Sequence, residues 1–292
     1  MSAWRVWWSA VRPATLSASV APVLAGTAVA IHDGSDLRWG AGVAALVVAL
    51  AMQLGVNFAN DYSDHVRGAD AIRVGPLRAA SSGVVSPEEV RWAAIGAFAV
   101  AAIAGAALSL AVDWRLLLVG AACLLAGWLY TGGPRPYGYL GLGEVFVFVF
   151  FGLIATVGTA YVETGRVTAI AVLMGCGTGF LATAILVLNN LRDIETDAAA
   201  GKRTLATRIG RQPTRLLLLV LVAAAFAVPI VIFMTGLASV TVMAMHFGIP
   251  IASVPVRTAF ATTAAPQLVL ALKRMAATEL AYALLFTLGV LL

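Results

Sequence analysis

Long stretches without a formal charge dominate this sequence of 292 residues. Forty-one consecutive residues from Leu216 to Val256 contain no Asp, Glu, Lys or Arg, and twenty-two such residues run from Trp39 to Asn60. Only 11% of the residues are charged and 61% are hydrophobic, whereas a soluble domain carries about a quarter charged residues. Runs of this length suit helices that cross a bilayer, where each backbone polar group is satisfied within its own segment. The composition therefore excludes a soluble core and predicts an all-α, multi-pass membrane protein.

The uncharged runs predict about nine transmembrane helices in a single domain spanning residues 1–292. Six of them are Pro13 to His32, Trp39 to Asn60, Trp92 to Val112, Leu116 to Pro134, Val145 to Val162 and Val167 to Leu191. The long run from Leu216 is too long for one crossing, and Thr235-Gly236 near its middle predicts a turn between two helices. The last run, Leu280 to Leu292, is short for a crossing unless its helix begins near Met275. An interfacial helix is expected just before it, over residues 258–274.

Basic residues are distributed unevenly among the predicted loops. With a cytoplasmic N-terminus, sixteen of the nineteen Lys and Arg residues fall on the cytoplasmic side, and Arg38, Arg115 and Arg166 fall outside. This asymmetry follows the positive-inside rule and predicts a protein of the cell (inner) membrane with its N-terminus in the cytoplasm. Contact with an anionic leaflet accounts for the net charge of +5, so the composition requires no nucleic-acid partner.

A carboxylate-rich stretch, NFANDYSDHVRGAD from Asn57 to Asp70, ends the second run. On a helix, Asn57, Asp61 and Asp64 share one face, with Asn60 beside them. Magnesium prefers such oxygen donors and combines one or two carboxylates with substrate phosphates. The pattern predicts a metal site at a cytoplasmic helix end. The alternative interpretation is that the aspartates only mark where the helix leaves the bilayer.

A second cluster, NNLRDIETDAAAGKRT, follows the sixth run. Asn190, Asp193 and Asp197 are spaced three and four residues apart, as on one helical face, and Asn189 precedes them. Asparagine, two aspartates, a glycine and then basic residues thus occur twice, about 130 positions apart. This repeat predicts two facing helix ends and suggests an internal duplication.

Side chains near the two clusters are candidates for substrate binding. The loop after the first cluster is rich in glycine and arginine, which suits a lid that binds phosphate. The turn YTGGPRPYGYLGLGE adds tyrosines and an arginine, although tyrosines of this kind also simply occupy a membrane interface. The candidate substrate-binding residues are Asn57, Asn60, Arg67, Asp70, Arg73, Tyr130, Arg135, Tyr139, Asn189, Asn190, Lys202 and Arg203.

Phenylalanines are concentrated in the fifth run, at positions 146, 148, 150 and 151. They are candidates to line a channel for a long apolar chain or to stabilise a cation with their ring faces. Lipid contact or ordinary packing is the alternative interpretation.

Together these features describe a site for an amphiphile with a diphosphate head. Magnesium bound by the carboxylates bridges the phosphates, basic residues hold the outer oxygens, and the apolar bundle accepts the tail. A polyprenyl diphosphate has this shape.

The motifs NDYSD with RGAD, and NNLRDIETDAAAGKRTL, resemble the two aspartate-rich motifs of the intramembrane UbiA-type prenyltransferases. The closest resemblance is to the branch that prenylates 1,4-dihydroxy-2-naphthoate in menaquinone synthesis. It extends from Arg12-Pro13-Ala14-Thr15-Leu16 through the turn YTGGPRPYGYLGLGE and fades after about Arg215. The broader superfamily often has a third aspartate in the first motif where this chain has Gly68, with Asp70 two residues later, as in the naphthoate branch.

This resemblance implies helices around a central cavity that opens to the cytoplasmic side. It implies Mg²⁺ as the cofactor and, as catalytic and metal-binding residues, Asp61, Asp64, Asp193 and Asp197. The implied reaction transfers a polyprenyl group from polyprenyl diphosphate to 1,4-dihydroxy-2-naphthoate with loss of diphosphate and CO2, giving demethylmenaquinol. The motifs do not fix the prenyl length, the residues that bind the acceptor or the oligomeric state.

Three alternatives remain at the level of sequence. The first alternative is a prenyltransferase whose acceptor is another aromatic compound, such as 4-hydroxybenzoate. The second is a cation-coupled transporter. Transporters place their carboxylates near the membrane midplane, whereas these lie at helix ends. The third is a CDP-alcohol phosphotransferase, which has its aspartates in one compact run rather than in two distant clusters.

Overall fold

The computed structural model describes residues 2–34, 36–68 and 78–292, and within those ranges the chain is nearly all helical and has no β-strand. Short 3₁₀ segments occupy Pro13–Thr15, Tyr137–Leu140 and Val240–Gly248, and a π-helical segment occupies Phe148–Ile154. The α-helices of these ranges are α1 (Ala3–Val11), α2 (Ser17–His32), α3 (Trp39–Val66), α4 (Pro87–Val112), α5 (Leu116–Leu129), α6 (Gly143–Val147), α7 (Ala155–Thr164), α8 (Ala169–Arg192), α9 (Ile194–Ala199), α10 (Leu205–Ile209), α11 (Arg211–Met234), α12 (Ile249–Ala261) and α13 (Ala265–Leu291).

Six helical stretches in the described part of the chain are long and apolar enough to cross a membrane: α3, α4, Gly143–Thr164, α8, α11 and Val240–Ala261. The count becomes seven if the pair Ala3–Thr15 and Ser17–His32, which is bent by 43°, is taken as one span. Helix α5 is apolar but shorter, and α13 is 27 residues long with charged residues in its first half. The all-α, multi-pass architecture is therefore confirmed, while the count of nine spans stays a prediction.

Local sequence signals set several helix boundaries. Helix α4 begins with a capping box, because the Ser86 side chain accepts the N–H of Glu89 and the Glu89 side chain accepts the N–H of Ser86, with Pro87 in the first turn. Helix α11 ends at Met234, and Gly236 then adopts a φ of 70° that allows the reversal.

The prediction of an interfacial helix over residues 258–274 is wrong. Helix α12 continues to Ala261, and α13 begins at Ala265 and runs without a break to Leu291. Pro266 lies in the first turn of α13, where a missing backbone N–H costs nothing, so it starts this helix rather than interrupting it.

The helices differ in how completely they are buried. Helices α2, α8, α11 and α13 share a core that includes Leu188, Leu218, Ile232, Tyr282 and Phe286, each essentially without exposed surface. Within it, the Tyr282 hydroxyl donates to the Ala225 carbonyl oxygen at 2.6 Å. In contrast, α4 and α5 expose apolar side chains over much of their length, as surfaces that contact lipid do.

A close helix crossing places the π-helical segment against α8. A Cβ added to Gly152 would lie 2.3 Å from the Gly179 Cα, so the two backbones approach as closely as glycine permits. The π-helical segment carries Phe150 and Phe151, and both of these side chains line a cavity. Irregular helical turns of this kind are frequent at functional sites.

Candidate active site

Two adjoining cavities share a boundary to which α2 and α3 contribute. One has a volume of about 160 Å³ and is lined mainly by polar and charged side chains. The other has a volume of about 360 Å³ and is lined almost entirely by apolar side chains. Both cavities share Ala18, Val56, Tyr130, Val147 and Phe151. A single ligand with a polar head and an apolar tail can therefore occupy both.

Three residues of the first cluster line the polar cavity: Asn57, Asn60 and Asp64. They are spaced three and four residues apart near the end of α3, so they share one face of the helix. Asp61 lies to the side of that face, has no exposed surface and is not part of the cavity lining. One of its carboxylate oxygens accepts the backbone N–H of Ala79 at 2.9 Å. The role of Asp61 as a metal ligand stays a prediction.

Asp64 is the point at which the two halves of the chain meet. One carboxylate oxygen accepts hydrogen bonds from the Tyr139 hydroxyl at 2.6 Å and from the Lys202 ammonium at 2.8 Å. The other oxygen accepts from the Arg78 guanidinium at 2.9 Å. Lys202 also lies 3.8 Å from a carboxylate oxygen of Asp197. One ammonium group thus bridges the two acidic clusters, which confirms that they face each other.

The second cluster contributes Asn189, Asn190, Asp193 and Asp197 to the lining of the same cavity. The helix does not continue through this cluster, since α8 ends at Arg192 and α9 begins at Ile194. A hydrogen bond of 2.7 Å from the Asp197 N–H to the Asp193 carbonyl oxygen keeps the two carboxylates on one side across this break. The Arg192 Nε donates to the Asp193 carboxylate at 2.7 Å, so this acid also has a basic neighbour.

Three of the four asparagines that line the polar cavity are held by residues of other segments. Asn60 accepts a hydrogen bond from the Thr131 hydroxyl at 2.7 Å. The Asn190 amide donates to the Glu144 carboxylate at 3.0 Å, and the Asn57 amide donates to the Val11 carbonyl oxygen at 3.0 Å. These three amides are therefore fixed by partners on other segments, which reduces the entropy lost when a ligand binds.

Tyr139 and two cations form a stack at the cavity. The Lys202 Nζ lies 4.9 Å and the Arg67 Cζ 5.4 Å from the centre of the Tyr139 ring. Burial, together with the neighbouring Asp64 carboxylate, raises the pKa of the Tyr139 hydroxyl. The phenol therefore stays protonated and acts as a hydrogen-bond donor.

The remaining predicted substrate-binding residues differ in position. Tyr130 lines both cavities and Lys202 lines the polar one. Arg135 and Arg203 are exposed and do not contribute to the cavity lining. Asp70 and Arg73 lie outside the described residues. The binding roles of all these residues stay predictions.

Sequence reasoning missed several residues of the polar cavity. Arg12, Thr15, Gln53 and Thr131 line it and carried no assigned role, whereas Arg78, which also lines it, belongs to the arginine-rich loop that was predicted to bind phosphate. Among the described residues, Arg12 is the one non-glycine residue with a positive φ, at 51°, and strained backbone of this kind is concentrated at functional sites. The signal available in the sequence was the Arg12-Pro13 pair at the start of the first span.

The oxygen donors of the cavity suit a hard cation. Asp64, Asp193 and Asp197 supply carboxylates, and asparagine amides lie beside them. In the described part of the chain no three His, Cys, Asp or Glu side chains are close enough to enclose a metal alone. Magnesium does not need such a cage, because it uses one or two carboxylates and takes other ligands from water and substrate phosphates. The donor set fits magnesium held jointly with a diphosphate.

A row of aromatic rings follows the wall of the apolar cavity. Ring centroids are 5.4 Å apart from Tyr130 to Tyr137, 3.9 Å from Tyr137 to Phe146 and 5.9 Å from Phe146 to Phe150. All four residues line the cavity. Phe148 instead packs against Phe180, 5.0 Å away. Of the four phenylalanines considered as channel residues, three thus line a cavity and one serves packing.

Apolar helices that enclose an acidic and basic cavity next to an apolar one define a membrane-embedded site for an amphiphile with an anionic head. The chain belongs to the UbiA prenyltransferase family, whose sequence model matches residues 19–270. This confirms the family predicted from the two aspartate-rich motifs.

The chain is similar to two mycobacterial proteins named 1,4-dihydroxy-2-naphthoate octaprenyltransferase. It is 46% identical to the protein of Mycobacterium leprae over 232 residues, which cover 80% of this chain and 79% of the relative. It is 48% identical to the protein of Mycobacterium tuberculosis over 217 residues, which cover 74% of each chain.

The fold is similar to that of a solved UbiA homolog from Archaeoglobus fulgidus bound to DMAPP and Mg²⁺. The TM-score is 0.60 at 18% sequence identity, and the match covers 96% of this chain and 99% of the homolog. A similarity at this level of identity shows the shared fold alone.

Proposed function

We propose that this protein transfers a polyprenyl group from a polyprenyl diphosphate to 1,4-dihydroxy-2-naphthoate, with loss of diphosphate and CO2, to give demethylmenaquinol. The observation that carries the proposal is the placement of Asp64, Lys202 and Asp197 at one polar cavity that adjoins the apolar cavity. The names of the two mycobacterial relatives support the naphthoate acceptor. The protein acts in the cell (inner) membrane, with its N-terminus and active site on the cytoplasmic side.

The polar cavity binds the diphosphate head. Asp64, Asp193 and Asp197 would hold Mg²⁺, which when bound neutralises charge on the leaving diphosphate. Lys202 and Arg78, which pair with Asp64 in this structure, are within reach of phosphate oxygens at the same site. Arg12 lines the same cavity and contributes a further guanidinium. Asp61, which accepts the Ala79 N–H with one carboxylate oxygen, would join the metal ligands through its other oxygen or after a change of rotamer.

The apolar cavity binds the prenyl tail and keeps water from the reacting carbon. The carbon–oxygen bond to diphosphate breaks, and the resulting allylic cation lies where the two cavities join, beside Tyr130 and Phe151. Aromatic ring faces stabilise a cation, and a dry wall prevents its capture by water. The electron-rich naphthoate ring carbon then forms the new carbon–carbon bond. The bond to the ring carboxylate breaks, CO2 leaves, and its electron pair restores the aromatic ring.

The experiment is a membrane-fraction assay with a radiolabelled polyprenyl diphosphate. The acceptor is 1,4-dihydroxy-2-naphthoate or 4-hydroxybenzoate, each with and without Mg²⁺. A lipid-soluble product that forms only with the naphthoate and Mg²⁺ is the expected result. A product that forms with the benzoate and not with the naphthoate would overturn the assignment of the acceptor. The absence of product with both compounds would overturn the proposal. Glu88→Gln is the control variant because Glu88 is exposed at the start of α4, away from both cavities.

A further inference from the structure

Helix α1 has two faces of opposite character. Val6 and Ala10 are buried. On the other side, Trp4 and Trp8 are 73% and 55% exposed and stack on each other with ring centroids 6.1 Å apart. Arg5 is exposed on the same side, and the helix has no acidic residue. Exposed tryptophans next to an arginine are typical of helices that lie in the headgroup region of a bilayer.

The buried face of α1 packs on α3 and on the segment that leads into α4. Trp7 contacts Phe58 edge to face, with ring centroids 5.7 Å apart. A continuous buried cluster joins the inner face of α1 to this segment; besides Phe58 it contains Val6, Ala10, Ala79, Ala80, Val85 and Val90. The position of residues 78–85 therefore depends on the position of α1.

The same segment and the end of α1 form hydrogen bonds with residues of α3 at the polar cavity and beside it. Arg78 donates to Asp64 at 2.9 Å, and the Ala79 N–H donates to Asp61 at 2.9 Å. At the end of α1, the Val11 carbonyl oxygen accepts from Asn57, and the next residue is the strained Arg12. Helix α1 thus contacts the cavity walls both through the segment 78–85 and through its own C-terminus.

We propose that the Trp4, Arg5 and Trp8 face of α1 docks on the headgroup layer of the cytoplasmic leaflet, and that this contact holds residues 78–85 and Arg12 in the arrangement that catalysis needs. Trp92 in the first part of α4 is 62% exposed as well. Arg5 favours anionic headgroups. In this view α1 makes the activity depend on lipid contact. The inference rests on the proposed function only for its activity readout.

The test compares wild type with a Trp4→Gln/Trp8→Gln variant in nanodiscs that contain phosphatidylglycerol. Hydrogen exchange of residues 78–85 is expected to increase in the variant, and turnover to fall at least about fivefold, which corresponds to about 1 kcal/mol. The Trp4→Phe/Trp8→Phe variant is expected to show the hydrogen exchange and the turnover of wild type. The matched control is Trp39→Gln/Trp114→Gln, since these exposed tryptophans lie near the ends of helices opposite to the polar cavity. It should change neither value.

Unchanged exchange and turnover in the Trp4→Gln/Trp8→Gln variant would overturn the proposal. Arg5→Glu gives a second test that removes no aromatic side chain, and its turnover should fall in anionic discs but not in phosphatidylcholine discs. Equal turnover in both kinds of disc would contradict the headgroup contact. If wild type transfers no prenyl group, the proposed function fails, while the exchange measurement still decides whether α1 controls residues 78–85.

Discussion

Asp64 accepts hydrogen bonds from three side chains at the polar cavity. Its two carboxylate oxygens accept hydrogen bonds from Tyr139, Lys202 and Arg78, which belong to three separate segments. Asp61, three residues earlier, is fully buried and holds the backbone of Ala79. Two aspartates in one motif thus have different surroundings, and substitutions should separate them.

Asp64→Asn is expected to lower the rate of diphosphate release at least about a hundredfold, because a metal-binding charge worth several kcal/mol is lost. Asp61→Asn should keep the rate within about tenfold of wild type, since an amide oxygen still accepts the Ala79 N–H. Diphosphate release from labelled donor, measured in membranes with saturating Mg²⁺, gives both values. Equal losses in the two variants would instead support Asp61 as a direct ligand.

Tyr139→Phe removes a hydroxyl that donates to Asp64 at 2.6 Å. A hydrogen bond to a charged group contributes about 1.5–3 kcal/mol, so turnover should fall about tenfold or more. Burial raises the pKa of Tyr139 above an ordinary value of about 10, so its hydroxyl remains a donor throughout the working range. The ratio of wild-type to variant turnover should therefore stay constant from about pH 6 to pH 9. A ratio that falls within this range would show that Tyr139 loses its proton during the assay.

At the scale of elements, the charged residues of the polar cavity lie near helix ends, and the apolar cavity lies along the sides of helices. The ends of α3 and α8 supply the two clusters, while α4 and α5 form one wall of the apolar cavity. Small residues on α4 keep that wall open, and Gly105 is one of them. A Cβ at Gly105 would meet only Val48, at 3.9 Å. A larger side chain at this position therefore enters the cavity without a backbone clash.

Gly105→Leu should lower turnover of a long polyprenyl diphosphate more than turnover of dimethylallyl diphosphate, because only the long tail reaches this part of the cavity. The measurement is kcat/KM for both donors in the same membranes. Gly96→Leu on the same helix is the control, since Gly96 is exposed and a Cβ there meets nothing within 4 Å. Equal losses for both donors would show that the long tail does not extend along this wall.

At the scale of the whole molecule, the distribution of basic residues predicts the orientation. Sixteen of nineteen Lys and Arg residues fall on one side under the predicted topology. That side contains both acidic clusters, so a diphosphate would reach the polar cavity from the cytoplasm. The single domain spanning residues 1–292 stays a prediction of the same kind.

Nine spans and a cytoplasmic N-terminus place the two chain ends on opposite sides of the membrane. A fluorescent-protein fusion at the N-terminus should therefore be bright, and an alkaline phosphatase fusion at the C-terminus should be active outside the cytoplasm. Reporters that place both ends on one side would mean an even number of spans, and α5 or α13 would then be the helix that fails to cross.

The sequence by itself determined the membrane class, most helix boundaries and the two acidic clusters. These features depend on local properties, namely the length of uncharged runs, capping residues such as Ser86 and the spacing of polar groups along a helix. The family was recognisable for the same reason, because its motifs are short and contiguous.

Only the tertiary structure decided which side chains share the cavity. It brought Lys202 to Asp64 across 138 positions of sequence, and it left Asp61 outside the cavity although Asp61 belongs to the same motif. It also placed Arg12 and Arg78 at the site. Helix rotation, the break between α8 and α9 and the packing of α1 decide these positions. Each of them depends on contacts between segments that are far apart in the chain, and local patterns do not encode such contacts.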